Sequence, residues 1–210
     1  MKRALLITLA LTCGLAVKAQ ITPSFVYKVP NISHATYVSG NYYDEDDILY
    51  WDLHCSPYTC GAENVVASSA LSAQGSTAYS ITNINDWNHE TAWVEGVEGY
   101  GIGQWIEFQD VWADGVITAI SILNGYVKND KAWSENSRVK RLLVYLNGSP
   151  IGILMLEDSR SLQAFSIGDL LGDDVYISYI SKLRLEILDV YPGTKYQDTV
   201  ISEVYFDFCN

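Results

Sequence analysis

Asn83–Phe108 reads NINDWNHETAWVEGVEGYGIGQWIEF, and it sets how the rest of the chain is read. An acidic, amide-bearing loop (Asp86, Asn88, Thr91) leads into tryptophans, then Gly96, Gly99, Gly101 and Gly103, and the segment ends in a strand. The large rings suit the anchors of a β-sandwich. The glycines permit positive φ angles or close approach of backbone to backbone. Gly-Tyr-Gly-Ile-Gly is no dinucleotide fingerprint: a phosphate cradle needs a strand before it and a helix N-terminus after it, and here a strand follows.

Outward from this stretch, runs rich in Val, Ile, Leu, Tyr and Phe alternate with turn residues, the pattern of half-buried strands. Strands are predicted at Trp105–Gln109, Val116–Leu123, Val139–Asn147, Ile151–Leu156, Gln163–Ile167, Lys182–Val190 and Thr199–Phe208. Asn147-Gly148-Ser149-Pro150, Gly168-Asp169, Gly172-Asp173-Asp174 and Pro192-Gly193 supply turn chemistry between them. Asn147-Gly148 is a strong hairpin signal. Helical capping boxes followed by amphipathic runs are scarce. The expectation is an all-β domain over 64–210, a two-sheet sandwich of the jelly-roll kind, with an irregular N-terminal extension over 20–63. The run Asp44-Glu45-Asp46-Asp47 in that extension reads as a solvated loop or, less simply, as a cation ligand set.

At 210 residues the chain is one domain with an appendage. Lys2 and Arg3, the apolar run Ala4–Val17 and Val17-Lys18-Ala19 read as a signal peptide over 1–19, so the protein is expected to be exported: periplasmic, cell-surface or secreted. A lipobox at Cys13 is the rival reading. Cleavage after Ala19 removes three of the 13 basic residues and none of the 25 acidic ones, moving the formal charge from -12 to -15. Nucleic acid and anionic membranes both require a basic footprint, and no later segment has membrane-spanning length, so neither partner nor membrane insertion is expected. A neutral ligand such as a sugar, or a divalent cation, suits this surface. In an oxidising compartment Cys55 and Cys60 of CSPYTC are positioned for a short local disulfide, with zinc on His54, Cys55 and Cys60 as the alternative. Cys209 is left over.

Calcium takes six to eight oxygens in flexible geometry, and Asp86, Asn88 and Thr91 are spaced to wrap one ion within a loop. A distant carboxylate must complete the shell, and Glu203 is the candidate; an Asx-turn that merely shapes the loop is the plain alternative. A second constellation lies in Asn124, Tyr126, Lys128, Trp133, Asn136 and Arg138, with Tyr196 and Asp198 expected at the same end. Amide, cation and aromatic groups together are what a sugar site uses, with fixed hydrogen bonds and a ring platform. The same groups also serve simply to close a sandwich end. Asp198 is a candidate ion partner for Arg138 or Lys128. Catalysis has little support, since nucleophile and zinc-protease motifs are absent. Glu95, Glu98, Asp198 and Glu203 are the carboxylates from which a glycosidase pair would be drawn.

Ala67–Leu71 (ASSAL), Asp86–Gly96 (DWNHETAWVEG), Gly99–Glu107 (GYGIGQWIE), Asn124–Lys128 (NGYVK), Asn136–Lys140 (NSRVK), Val190–Thr199 (VYPGTKYQDT) and Ile201–Phe206 (ISEVYF) occur in order at compatible distances. Together they resemble the discoidin-like, galactose-binding-like superfamily, and within it the glycan-binding domain named after the translocation domain of streptococcal NAD glycohydrolase. The resemblance implies a galactose-binding-like jelly roll and binding of a glycan or protein-linked sugar at the NGYVK, NSRVK and YQD segments. It also implies a structural calcium held by an Asp-x-Asn-x-x-Thr loop and a late Glu: here Asp86, Asn88, Thr91 and Glu203, with carbonyls near Asn83 and Ser202. Trp87 stands where the pattern has glycine. NAD glycohydrolase activity is not implied, because that chemistry belongs to a separate domain of the namesake. A non-catalytic binding module is thus the expectation, with a protein-docking or adhesion module on the same loop face as the alternative.

Overall fold

The computed structural model describes residues 20–23, 25–27, 60–171 and 176–209. The signal peptide, the Asp44–Asp47 run, His54, Cys55 and the turn at 172–174 lie outside the described residues. The strands are β1 (Gln20–Ile21), β2 (Phe25–Tyr27), β3 (Cys60–Ala67), β4 (Trp93–Val94), β5 (Trp105–Ala113), β6 (Val116–Asn124), β7 (Ser137–Leu146), β8 (Ser149–Met155), β9 (Leu162–Ser166), β10 (Tyr179–Tyr191) and β11 (Thr199–Cys209). Two short helices, Asp130–Glu135 and Ile167–Leu171, and a 3-10 turn at Ile81–Asn85 complete the elements. Among the described residues no helix is long and apolar enough to cross a membrane.

Strands run in the order β2-β9-β6-β11-β7-β10-β5-β3, with β8 and β1 beside β7 and β4 beside β11. The path folds on itself at β11. From Glu203 to Cys209 this strand pairs antiparallel with β6, while its first residues, Thr199 and Val200, pair parallel with Ser137 and Arg138 of β7. One layer is thus β2-β9-β6-β11 and the other β7-β10-β5-β3. Alternation turns Ile120, Ile122, Val204 and Phe206 of the first layer toward Phe108, Leu142, Val144, Leu183 and Leu185 of the second, all within one buried cluster. Phe108 and Phe206 meet edge-on across the layers at 5.1 Å. Removing a ring such as that of Phe108, which is 0% exposed, costs about 3–5 kcal/mol through lost transfer and the cavity left behind.

The all-β sandwich matches the expectation, with local differences. The predicted hairpin at Asn147-Gly148 forms, both residues having positive φ (50° and 82°), as a tight two-residue turn requires. β5 runs to Ala113 rather than ending at Gln109: Asp110 adopts φ 52° and accepts a hydrogen bond from the Tyr179 hydroxyl, so the charge does not break the strand. The predicted strand Gln163–Ile167 stops at Ser166, because Ile167 opens a helix that buries Ile167 and Leu170. The expected boundary between 63 and 64 falls inside β3, which pairs along its length with β5. From the extension, β1 joins β8 in parallel and β2 joins β9 antiparallel, so it contributes strands to both layers.

Candidate functional site

At the end of the sandwich where β6 stops and β7 starts, two of the singled-out segments meet. Gly125 turns the chain at φ 76°. A Cβ there would lie 2.7 Å from Arg138 Cγ and 3.0 Å from Trp133 Cδ1, so glycine lets both side chains close over the backbone. Asn129 caps the helix Asp130–Glu135, its side chain accepting from Ala132 N at 2.8 Å. The loop after β10 is zipped to that helix. Thr194 N donates to Ser134 O, and Lys195 N and Tyr196 N both donate to Glu135 O. Ser137 Oγ accepts from Gly193 N at 3.0 Å and donates to Tyr196 O at 3.1 Å. These bonds use backbone or short side chains, so the face is fixed before any ligand arrives.

Within this face the singled-out residues divide into braces and presented groups. Asn124 is 0% exposed and is consumed by Val139, donating Nδ2–H to its carbonyl at 2.7 Å and accepting its N–H at 3.0 Å. It braces the face from within. Tyr126 is buried with Ala92, Val94 and Val200 and donates its hydroxyl to Glu90 O at 3.2 Å. Asn136 donates its side-chain amide to Ala132 O at 2.8 Å. Trp133 is partly buried: its ring packs against the cluster of Leu123, Val127, Leu162 and Tyr205, with the Arg138 guanidinium 4.2 Å from its centroid. Lys128 is exposed, Tyr196 is 40% exposed with the Lys195 ammonium 4.6 Å from its ring, and Asp198 is half-buried.

The expected pairing of Asp198 with Arg138 or Lys128 gives way to another. Arg138 Nε and Nη2 donate to Asp158 Oδ1 and Oδ2 at 2.6 and 3.0 Å, a bidentate fork, while Nη1 donates to the carbonyls of Trp133 and Asn136. Asp158 wins because β8 lies beside β7 and the turn after it delivers Asp158 to Arg138. Asp198 instead accepts Ser137 N through its carbonyl. A second brace lies outside the residues expected from the sequence: Arg160 pairs with Asp130 and donates to Val127 O at 2.5 Å. The turn Glu157-Asp158-Ser159-Arg160, with both charge signs beside an apolar strand, is the sequence signal for both braces.

The Asp86 loop sits against β11. Asp86 Oδ1 accepts Asn88 N at 2.9 Å, an Asx-turn, and Thr91 Oγ1 donates to Asp86 Oδ2 at 2.8 Å. Asn88 Oδ1 accepts Glu90 N at 3.1 Å. Asn88 N also donates to Glu203 Oε1 at 3.1 Å, which ties the loop to the predicted distant carboxylate. Trp87 takes the left-handed conformation, φ 61°, in the glycine position of the pattern. Its ring stacks on Tyr205 with centroids 4.3 Å apart, offsetting the backbone strain. Glu203 is 0% exposed, and its Oε2 is buried without a hydrogen-bond partner. Burial and the facing Asp86 push its acid up to about 9. Two carboxylates facing each other around an orphaned oxygen fit a cation. Among the described residues no group of three His, Cys, Asp or Glu could hold a metal. An ion here would therefore draw on amide, hydroxyl and carbonyl oxygens beside Asp86 and Glu203, a hard set suited to calcium.

Glu95, one of the candidate catalytic carboxylates, is 0% exposed and locks the glycine loop. Its Oε1 accepts Thr199 N at 3.2 Å and its Oε2 accepts Val97 N at 2.9 Å. Gly101 (φ 64°) passes so close that a Cβ would stand 2.5 Å from Glu95 Cγ. Burial raises its pKa, and the charge of Asp198 adds to the rise. Glu98 is exposed on the same loop.

Residues 57–207 match the family described as the NAD glycohydrolase translocation F5/8 type C domain. No curated protein matches the chain. Among solved structures it is similar to the CBM32-1 and CBM32-2 domains of ZmpB from Clostridium perfringens, at TM-score 0.52 and 11% identity over 90% of this chain. The chain spans 41% of that longer one. It is also similar to the family 32 CBM of C. perfringens NanJ, solved in complex with galactose, at TM-score 0.47 and 13% identity over 71% of this chain and 98% of that one. The F5/8 type C domain of a Bacteroides fragilis protein gives TM-score 0.45 and 14% identity over 72% and 98%. The ZmpB likeness carries the shared fold, the β-sandwich described above.

Proposed function

This chain belongs to the NAD glycohydrolase translocation F5/8 type C domain family, and from that membership we propose that it is an exported, non-catalytic carbohydrate-binding module braced by a structural calcium. The observation that carries the reading is the preformed loop face, where the helix Asp130–Glu135 and the loop 192–198 are zipped together. Arg138, Trp133, Asn136 and Asn124 hold that face rigid, and Lys128, Tyr196 and Asp198 meet the ligand. A partly exposed tyrosine with a cation beside it offers a sugar a ring platform and hydrogen-bond donors. The absence of catalysis is supported by Glu95, whose two oxygens are spent on backbone N–H groups, and by Glu203, which is sealed against Asp86. Calcium is supported by the orphaned Glu203 oxygen. Asp86, Asn88, Thr91 and Glu203 would hold the ion, and bound there it would neutralise the two facing carboxylates.

The test is a broad glycan array probed with the protein in calcium and again in chelator. Reproducible hits on saccharides are expected, weaker in chelator. A blank array from folded protein would overturn the reading in favour of protein docking on the same face.

A further inference from the structure

We propose that the outer face of the β7-β10-β5 layer carries a second saccharide subsite, selective for a carboxylate-bearing sugar, in the depression lined by Glu107, Tyr145, Gly148, Lys182 and Arg184. The proposal rests on the carbohydrate reading above and adds a ligand class to it. Register sets Glu107, Arg184 and Tyr145 side by side on three adjacent strands. Tyr145 lies seven residues along β7 from Arg138, roughly 23 Å in an extended strand. The depression is therefore separate from the loop face.

Its charges are arranged to receive an anion. The chain has 25 acidic and 13 basic residues, so its general surface repels one. Two cations line the depression with Glu107, which is already consumed, and the neighbouring acid Glu186 is engaged by the Tyr145 hydroxyl. Glu107 Oε2 accepts Arg184 Nε and Nη2 at 3.0 and 2.7 Å, and its Oε1 accepts Gln109 Nε2 at 3.0 Å. Lys182 Nζ stays 3.9 Å from Oε1, beyond hydrogen-bond distance, on a side chain 55% exposed. Its ammonium has all three donors for an incoming carboxylate, and Arg184 Nη1 takes no part in the Glu107 contacts.

The walls are preformed. Arg184 is fixed 4.2 Å from the Trp105 ring centroid. The Asn147-Gly148 turn is clamped to β10, Lys182 N donating to Asn147 Oδ1 at 3.0 Å and Asn147 N to Lys182 O at 2.9 Å. A Cβ built on Gly148 meets nothing within 4 Å, so a sugar ring has room above the turn, with Tyr145 at the side. A carboxylate on that ring would lie against Lys182 and Arg184, and an uncharged sugar would leave both without it.

Calorimetric titration of the whole protein with a galacturonic acid trisaccharide, and with an uncharged galactose trisaccharide, tests this. The acidic trisaccharide should bind. Lys182→Ala should weaken it about tenfold, the usual effect of losing one charge-assisted contact. Tyr196→Ala on the loop face should leave acidic binding unchanged. Silence toward the acidic sugar from a protein that still binds neutral glycans would overturn the subsite and spare the module. Acidic binding lost in Tyr196→Ala but kept in Lys182→Ala would place the sugar on the loop face and likewise overturn it. Silence toward both sugars, with a blank array, would sink the carbohydrate reading and this subsite with it.

Discussion

Glu107 on β5 and Glu203 on β11 are glutamates of similar burial, 6% and 0% exposed, set in opposite electrostatic company. Around Glu107, burial works to raise the pKa, but hydrogen bonds from Gln109 and Arg184 and the charges of Arg184 and Lys182 outweigh it and hold the acid below its usual value. Around Glu203, burial works the same way and the nearest charge is Asp86, another carboxylate, so the acid is driven up. The first has its counter-charge in the fold. The second has a tied-down loop, oxygen donors and, among the described residues, no counter-charge, which is the arrangement that the proposed metal ion would complete. Burial alone does not mark a site; the company of the buried charge does.

The strongest way to sharpen that contrast is to make a compensated pair uncompensated. Arg138→Ala strands Asp158 and strips two carbonyls and the Trp133 ring of their partner. Asp158 is 39% exposed and is rehydrated, so the cost comes from the carbonyls left unpaired and the packing lost on Trp133, about 3 kcal/mol or several degrees of melting temperature for a domain this size. Thermal unfolding measures it. A loss below 1 kcal/mol would mean that the brace is not what holds this face.

The next effect is the reverse operation, supplying the missing counter-charge. Calcium at about a hundred times its dissociation constant should stabilise the parent by about 2.7 kcal/mol, several degrees in a melting scan. Glu203→Gln should melt alike in calcium and chelator. In chelator it should match the parent closely, since a carboxyl pushed up to about 9 is already protonated and uncharged at neutral pH. A parent protein whose melting ignores chelator would break the comparison, leaving Asp86 and Glu203 as a strained Asx-turn.

Glu107→Gln is a smaller change, about 1 kcal/mol at neutral pH, because Arg184 and Lys182 are partly solvated and screened. Its signature is in the pH dependence. The folded pKa lies below the ordinary 4.5, so the pair's contribution is present above that pH and lost as pH falls through the folded value. Denaturant titrations between pH 7 and pH 3 should show a shallower acid loss in Glu107→Gln than in the parent. Equal slopes would show that Arg184 serves another partner.

How much of this was legible beforehand follows from the range of the forces involved. Strand identity is local, and Val139–Asn147 or Thr199–Phe208 could be read from alternation and turn residues alone. The Asx-turn at Asp86 was legible for the same reason, its contacts spanning five residues. Charge partners are not local. Arg138 has Asp158 three positions after β8 and Asp198 just before β11, and only the strand order decides between them. The row of Glu107 and Arg184, 77 residues apart, was invisible for that reason. The packing of Trp133 was not legible, because a tryptophan in a polar loop gives no sign of Gly125 beneath it, whose missing Cβ leaves room for the ring.

That packing makes Tyr196 a cleaner ligand-side test than Trp133. Trp133→Ala would damage packing against Leu123, Val127, Leu162 and Tyr205, so lost binding and lost stability would arrive together. Tyr196 is 40% exposed, and the bonds that fix it come from its backbone N–H and carbonyl, which alanine retains. Tyr196→Ala should therefore shift the melting temperature by no more than about 1 °C, as surface substitutions do. If its ring is the platform of the loop face, glycan binding should fall about tenfold, the scale of losing one aromatic contact. Unchanged binding to an array-identified glycan would leave Lys128 and Asp198 as the contacts and remove the ring from the site. A drop in binding with the melting curve unmoved would separate recognition from fold, because at this residue the side chain and the backbone do different work.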